Sequence, residues 1–143
     1  MFDGIDPSPR VFLVGQDSWT TIEDRVRPHL QKMADGSGGR YLEEDIEADI
    51  KSGHFQLWIV IDGAEITCVT ITQIMEYPRL RALRVVGLVG HRPRRWMHFM
   101  GHLELTAKQH FGCDRIEAMT QPRHIALLPR DWNVFHVLSE KVL

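Results

Sequence analysis

The sequence predicts an α/β (α+β) fold built on a mixed sheet: two helices, an antiparallel meander, then a helical crossover into a parallel strand. Three observations carry this expectation. Apolar residues recur at helical spacing from Trp19 to Ile50. From Phe55 the period changes to β-branched and aromatic runs, punctuated by the hairpin dipeptide Asp62-Gly63. A helical stretch opened by Pro93 then separates two further strand-like runs by the length expected of a connection between parallel neighbours.

The chain has 143 residues, enough for one domain, residues 1–143, that buries roughly two thirds of its unfolded surface. Hydrophobic residues make up 43% and charged residues 25%, which disfavours disorder and fibrous or solenoid repeats. The run Leu57 to Ile61 is too short to span a bilayer, and residues 1–7 lack the basic and apolar regions of a signal peptide. A soluble, cytoplasmic protein is expected. Cys68 and Cys113 are too few for a disulfide framework and show no Cys-x-x-Cys spacing.

Along the chain, Arg10 to Gly15 reads as a strand. Trp19, Ile22, Val26, Leu30 and Met33 then form the stripe of a first helix, with Thr20-Thr21-Ile22-Glu23 as a capping box. Gly36 to Gly39 break the pattern. In the second helix Leu42, Ile46 and Ile50 share a face and Gly53 caps the C-terminus. Phe55 to Ile61, Ala64 to Met75 and Leu80 to Val89 form the meander, with Tyr77-Pro78 at the second turn. Pro93 suits the first turn of the third helix, whose stripe is Trp96, Phe99 or Met100, Leu103, Ala107 and Phe111, and Gly112 ends it. Asp114 to Thr120 is a short strand, Arg123 to Leu128 a short helix stopped by Pro129, and Asn133 to Lys141 a final strand.

Charge is unevenly spread. Residues 1–65 hold 13 acids against 6 Lys/Arg, while residues 66–143 hold 6 against 11. Arg79, Arg81, Arg84, Arg92, Arg94 and Arg95 fall in one acid-free stretch, which raises a phosphate-bearing or acidic partner beside the plain alternative of solvated strand-edge arginines.

This element order resembles the GNAT superfamily of N-acyltransferases over nearly the whole chain. Gly53-His-Phe-Gln-Leu-Trp-Ile-Val-Ile-Asp-Gly63 resembles the family's passage into its first hairpin, and Gln109-His-Phe-Gly-Cys-Asp-Arg-Ile116 the end of its long helix. Among such proteins, the small GNAT-like proteins of tailed phages share a Gln-Leu-Trp strand and a Tyr-Pro turn such as Tyr77-Pro78. The resemblance implies a GNAT-like mixed sheet with helices on both faces. It also implies acetyl-CoA as cofactor, with its pantetheine arm between Leu80–Val89 and Asp114–Thr120, which splay apart. Gly87 and Gly90 suit the bulge that such a strand carries. The resemblance places the pyrophosphate near Val89, Gly90, His91, Arg92, Arg94, Arg95 and Trp96, at the N-terminus of the helix begun by Pro93.

Two departures stand against it. The family's phosphate loop has two small residues where Arg94 and Trp96 fall, and the alternative register Arg84-Val-Val-Gly87 lies inside a strand. The family's usual tyrosine acid is also missing, because no tyrosine follows Tyr77. Water, Cys113 or His124 is left as general acid, and Glu76, Glu117 or His91 as general base, with ordinary strand-end carboxylates as the plain reading of the two acids.

His91, His98 and His102 have metal-ligand spacing, but the helix lacks the Glu of a His-Glu-x-x-His motif, so two solvated histidines are the simpler reading. No nucleophile elbow or Walker loop is present. Three functions follow from different classes: an acyl-CoA-dependent N-acyltransferase acting on an amine; a catalytically inactive GNAT-fold phage structural or assembly partner; and nucleic-acid binding. The last is disfavoured by the net charge of −2 and by the absence of interleaved aromatics.

Overall fold

In a computed structural model, which describes residues 9–93 and 98–143, the chain begins with β1 (Arg10–Val14) and a 3-10 turn (Gln16–Ser18). It continues through α1 (Trp19–Asp35), α2 (Glu43–Ser52), β2 (Gln56–Asp62), β3 (Glu65–Glu76) and β4 (Arg81–Gly90). After β4 come α3 (Phe99–Gln109), β5 (Arg115–Ala118) and a second 3-10 segment (Pro122–Leu127). The sheet order is β1-β2-β3-β4-β5, antiparallel throughout except for the parallel β4–β5 pair. The mixed sheet expected from the sequence is therefore present.

Helices cover both faces, and the period of two in β2 shows why. Leu57 and Ile59 point to a core shared with Trp19, Val26, Leu30 and Met33 of α1 and Ile46 and Ile50 of α2. Trp58 and Val60 point the other way, to Leu83, Val85, Phe99, Leu103 and Ala107. A strand buried on both sides reads as the unbroken apolar run seen from Leu57 to Ile61. Trp58 is fully buried and brings a donor into this core; its Nε1–H donates to Thr72 Oγ1 at 2.9 Å, and the Thr72 hydroxyl donates to Gln56 Oε1 at 2.9 Å. The indole's rim meets Phe99, His102 and Phe111 edge-on.

The two N-terminal helices are tied together by charge. Arg27 of α1 donates from Nε and Nη2 to the two carboxylate oxygens of Glu47 on α2, at 3.2 and 2.9 Å, and Lys51 Nζ adds a third contact at 3.1 Å. Glu47 is buried, and the Arg27 hydrogen bonds hold its carboxyl down at about 2 against burial that opposes them. Burial pushes the neighbouring Glu43 carboxyl up, helped by its hydrogen bond to Glu47.

Several expectations need correction. The Thr20 to Glu23 capping box does not form. The 3-10 turn, closed by the Ser18 N–H on Gly15 O, runs straight into a helix that already starts at Trp19. Leu42 is not on the buried face of α2; it is the exposed N-cap residue, and its N–H donates to Asp45 Oδ2. Gly53 does cap α2, with φ of 80°. The short helix after β5 is a 3-10 segment. Most important, Asn133 to Lys141 is not a strand. Its alternating pattern has the right chemistry, but a strand exists only where a neighbour takes up its N–H and C=O groups, and none of the described strands does.

Two outcomes follow. Thr72→Val leaves the Trp58 indole N–H without its acceptor in a sealed core, and the expected loss is about 1–3 kcal/mol, read as a lower midpoint in urea unfolding. A carboxyl held low in the folded state stabilises it above the unfolded value of 4.5 and loses that contribution as pH falls toward about 2. Glu47→Gln is therefore expected to flatten the decline of stability between those two pH values, with Glu43, shifted the opposite way, offsetting part of the effect.

Candidate active site

The site is set by a fault in the β3–β4 ladder. Ile71 pairs with Gly87 but Thr72 pairs with Val85, so Val86 is an extra residue on β4. Val86 packs into the α1/α2 core, and the direction a Cβ on Gly87 would take leads to Met33 Sδ at 3.0 Å, on that same side. Two consecutive residues thus face one way, and glycine at the second leaves room for the Met33 side chain of α1. The sequence expectation of a bulge beside Gly87 is met, one residue earlier.

At the bulge β4 loses one partner and keeps the other. Its parallel pairing with β5 runs from Ala82↔Arg115 to Val85↔Ala118 and ends there, while β4 continues to Gly90. Among the described strands, none lies beside Val86–Gly90 on the β5 side. That stretch of backbone is an edge with no paired strand on the β5 side among the described residues, and Val89 and Gly90 lie along it.

At the mouth, the His91 N–H donates to Thr67 O at 3.0 Å and extends the β3–β4 ladder by one step. Arg92 has φ of 52°, left-handed for a residue with a side chain and directly before Pro93, a combination that costs energy and turns the chain sharply out of β4. Pro93 is already helical. Glu65, at the start of β3, meets two side chains of the turn: its Oε1 lies 2.9 Å from His91 Nε2 and its Oε2 lies 3.6 Å from Arg92 Nη1. Arg94, Arg95 and Trp96, named from the sequence, lie outside the described residues.

At the apex, just before the pairing ends, Arg84 and Glu117 are register neighbours. Arg84 Nε donates to Glu117 Oε1 at 3.1 Å, the Tyr77 hydroxyl donates to the same oxygen at 2.6 Å, and Arg84 Nη2 donates to the Tyr77 oxygen at 3.0 Å. The hydrogen bond to Glu117 raises the Tyr77 phenol above its ordinary value, since losing the proton would set two negative oxygens together. Arg84 alternates with Leu83 and Val85, so the cluster lies on the α1/α2 face.

The other candidates are not brought here. Glu76 sits at the far end of β3, exposed, in an ion pair with Arg81 at 3.2 Å. Cys113 is buried in the α3 core, where desolvation pushes its thiol up, and His124 is exposed on the second 3-10 segment. His102 leans its ring on Trp58. Among the described residues no group of His, Cys, Asp or Glu could hold a metal ion. A cleft of about 220 Å³ at the β1 edge is lined by Leu13, Gln16, Ile50, Phe55 and Phe111 among others, with no ionisable side chain, and lies at the opposite edge of the sheet.

Sequence reasoning named Glu117 but missed its partners, because Tyr77 reads as a turn residue beside Pro78. The available signal was a charged residue inside each of two apolar strands, which a parallel register sets side by side.

No protein-family model matches the chain, and no curated protein does. Solved structures do. An aminoglycoside acetyltransferase, HMB0005, from an uncultured soil metagenomic sample superposes with a TM-score of 0.67 at 14% identity, over 95% of this chain and 98% of that one. A GNAT family acetyltransferase of Staphylococcus aureus gives 0.59 at 14%, over 95% and 99%. A ribosomal-protein-alanine N-acetyltransferase of Brucella melitensis gives 0.60 at 12%, over 91% and 99%. At these identities the likeness shows a shared fold, the GNAT fold.

Arg84→Ala is expected to free Tyr77 and Glu117 from their common anchor. Because the Arg84 guanidinium lowers the Tyr77 phenol while Glu117 raises it, the expected readout is a phenol titrating further above its ordinary value of 10 when followed by ultraviolet absorbance.

Proposed function

We propose that this GNAT-fold chain is an acyl-CoA-dependent N-acyltransferase that carries an acyl group from acetyl-CoA to an amine. The observation that carries the reading is the end of β4–β5 pairing at Val85, immediately before the Val86 bulge, with the Arg92 turn at one end of the unpaired edge and a buttressed carboxylate at the other. Fold alone does not confer activity; the placement of these groups is what supports it.

The residues present suit the donor. Main-chain groups of Val86 to Val89 on the β5 side are placed to pair with the amides of an extended pantetheine arm, as an added strand would. Gly90, His91 and Arg92 would face the phosphates, joined in this proposal by Arg94, Arg95 and Trp96. Two of these stand where the family has small residues, so guanidinium contacts would replace part of the usual backbone cradle. Bound acetyl-CoA supplies a thioester whose carbonyl carbon accepts the amine.

The chain's own task is to hold and move a proton. Tyr77 and Arg84 both donate to Oε1 of Glu117, which orients the carboxylate; in this proposal Oε2 takes the acceptor's ammonium proton. Glu76 has no such position and is set aside as a base in favour of Glu117. With Cys113 buried and its thiol raised, water is the proton source for the leaving thiolate.

A second reading is favoured by the loop residues Arg94 and Trp96: a catalytically silent GNAT-fold protein, encoded by a phage, that binds an assembly partner. Nucleic acid is the weaker alternative, and no helix among the described residues is long and apolar enough to cross a membrane.

Titration calorimetry with acetyl-CoA separates the readings. Binding is expected, weakened about tenfold by Arg92→Glu, which corresponds to about 1.4 kcal/mol. Glu117→Gln is expected to keep that binding and lower kcat about 100-fold with a tolerated amine. No heat at millimolar acetyl-CoA would favour the silent reading.

A further inference from the structure

We infer that the acceptor of this site is a free α-amino acid, bound with its carboxylate on Arg84 and its ammonium on Glu117; the inference rests on the acyltransferase reading and names the acceptor class that reading leaves open.

The sheet sets the recognising residues in one row. Gln73 of β3 pairs with Arg84 of β4, and Arg84 with Glu117 of β5, so the three side chains lie side by side on the α1/α2 face, next to the place where β4–β5 pairing ends. They stay open to a ligand: the Arg84 and Glu117 side chains are 30% and 32% exposed.

Within the row the hydrogen bonds leave one atom of each charge unused. Arg84 commits Nε to Glu117 and Nη2 to Tyr77, and Glu117 receives both of its donors on Oε1. Among the described residues Arg84 Nη1 and Glu117 Oε2 have no partner. A guanidinium N–H calls for an anion and a carboxylate oxygen for a cation. An α-amino acid carries both, one carbon apart, and its dipole laid antiparallel to the Arg84–Glu117 pair meets each charge with its opposite.

The same pair turns away other amines. A polyamine calls for several carboxylates, and this row holds one: Gln73 is uncharged, with its Nε2 at 2.9 Å from His54 Nε2, and Glu76 is engaged by Arg81. A second ammonium would stand against Arg84, a repulsion that adds to selectivity. The rim disfavours a polypeptide. The α1–α2 connection meets the chain beyond β5 twice, where a Cβ on Gly36 would lie 3.8 Å from Gln121 Nε2 and where Arg40 Nη2 meets Glu140 Oε2 at 2.8 Å. In the transfer, Glu117 takes one ammonium proton, the nitrogen bonds to the thioester carbonyl carbon as the C–S bond breaks, and the second proton passes through water to the thiolate.

Titration calorimetry of the full chain with L-alanine, L-alaninamide and putrescine, with coenzyme A present and absent, tests the site without turnover. Alanine is expected to bind about tenfold more tightly than its amide, which keeps the ammonium and lacks the carboxylate, and putrescine no more tightly than the amide. Arg84→Gln is expected to abolish the preference for alanine while leaving the affinity for the amide within about twofold. The comparison of ligands on the unaltered chain decides even if that variant fails to fold. Equal affinity for alanine and its amide, tighter binding of putrescine, or no binding of any of the three would each overturn the inference. Consumption of acetyl-CoA with putrescine but not with alanine would overturn the acceptor class and leave the acyltransferase reading standing. Alanine bound by Arg84 yet never acetylated would keep the amino-acid site and overturn that reading.

Discussion

One extra residue on β4 governs this molecule. Up to Val85 the strand is an ordinary central member of the sheet, paired to β3 on one side and β5 on the other. The irregularity at Val86 adds a local twist, and past it β4 keeps its β3 partner while nothing described flanks it on the other side. Gly87 makes the fault tolerable, because a side chain there would run into Met33 on the helix that covers this face. The unpaired edge, the Arg92 turn beyond it and the Glu117 carboxylate beside its start all inherit their positions from that point.

The rest of the fold keeps the point rigid. Two separate cores, one on each face, clamp the sheet between α1 with α2 and α3. On one face the Arg27–Glu47 pair ties the helices together; removing Arg27 would leave the buried Glu47 carboxylate with Lys51 as its remaining cationic partner. On the other, the indole of Trp58 fills the centre, and its only polar atom is accounted for by Thr72. Close packing of this kind lets a register fault remain local. The Tyr77–Glu117–Arg84 cluster then extends the same logic to the surface, since two hydrogen bonds to one oxygen, with a third between their donors, fix a carboxylate that would otherwise be free to rotate.

Much of this was legible beforehand, and the reasons are local. The helices of residues 19–52 were readable from their stripes, Gly53 from its place after the last apolar turn, and the first hairpin from Asp62-Gly63, because each is decided within a few residues along the chain. Glu117 was found as a carboxylate in a short strand, but so was Glu76, and nothing in one dimension separates an acid held by Tyr77 and Arg84 from an acid in a simple exposed ion pair. The capping box failed for a related reason: a 3-10 turn upstream started the helix earlier, and the Thr20 to Glu23 pattern fell inside it.

The residues 133–141 make the division sharpest. By themselves the amino acids determined periodicity, hairpin chemistry, the asymmetry of charge and which strands are apolar on both faces, all of which depend on short-range sterics and side-chain polarity. Tertiary structure alone decided where pairing stops, which acid gains partners, and that a segment with every mark of a strand is not one. A strand is a relation between two backbones, and whether the second backbone is present is not written in the first.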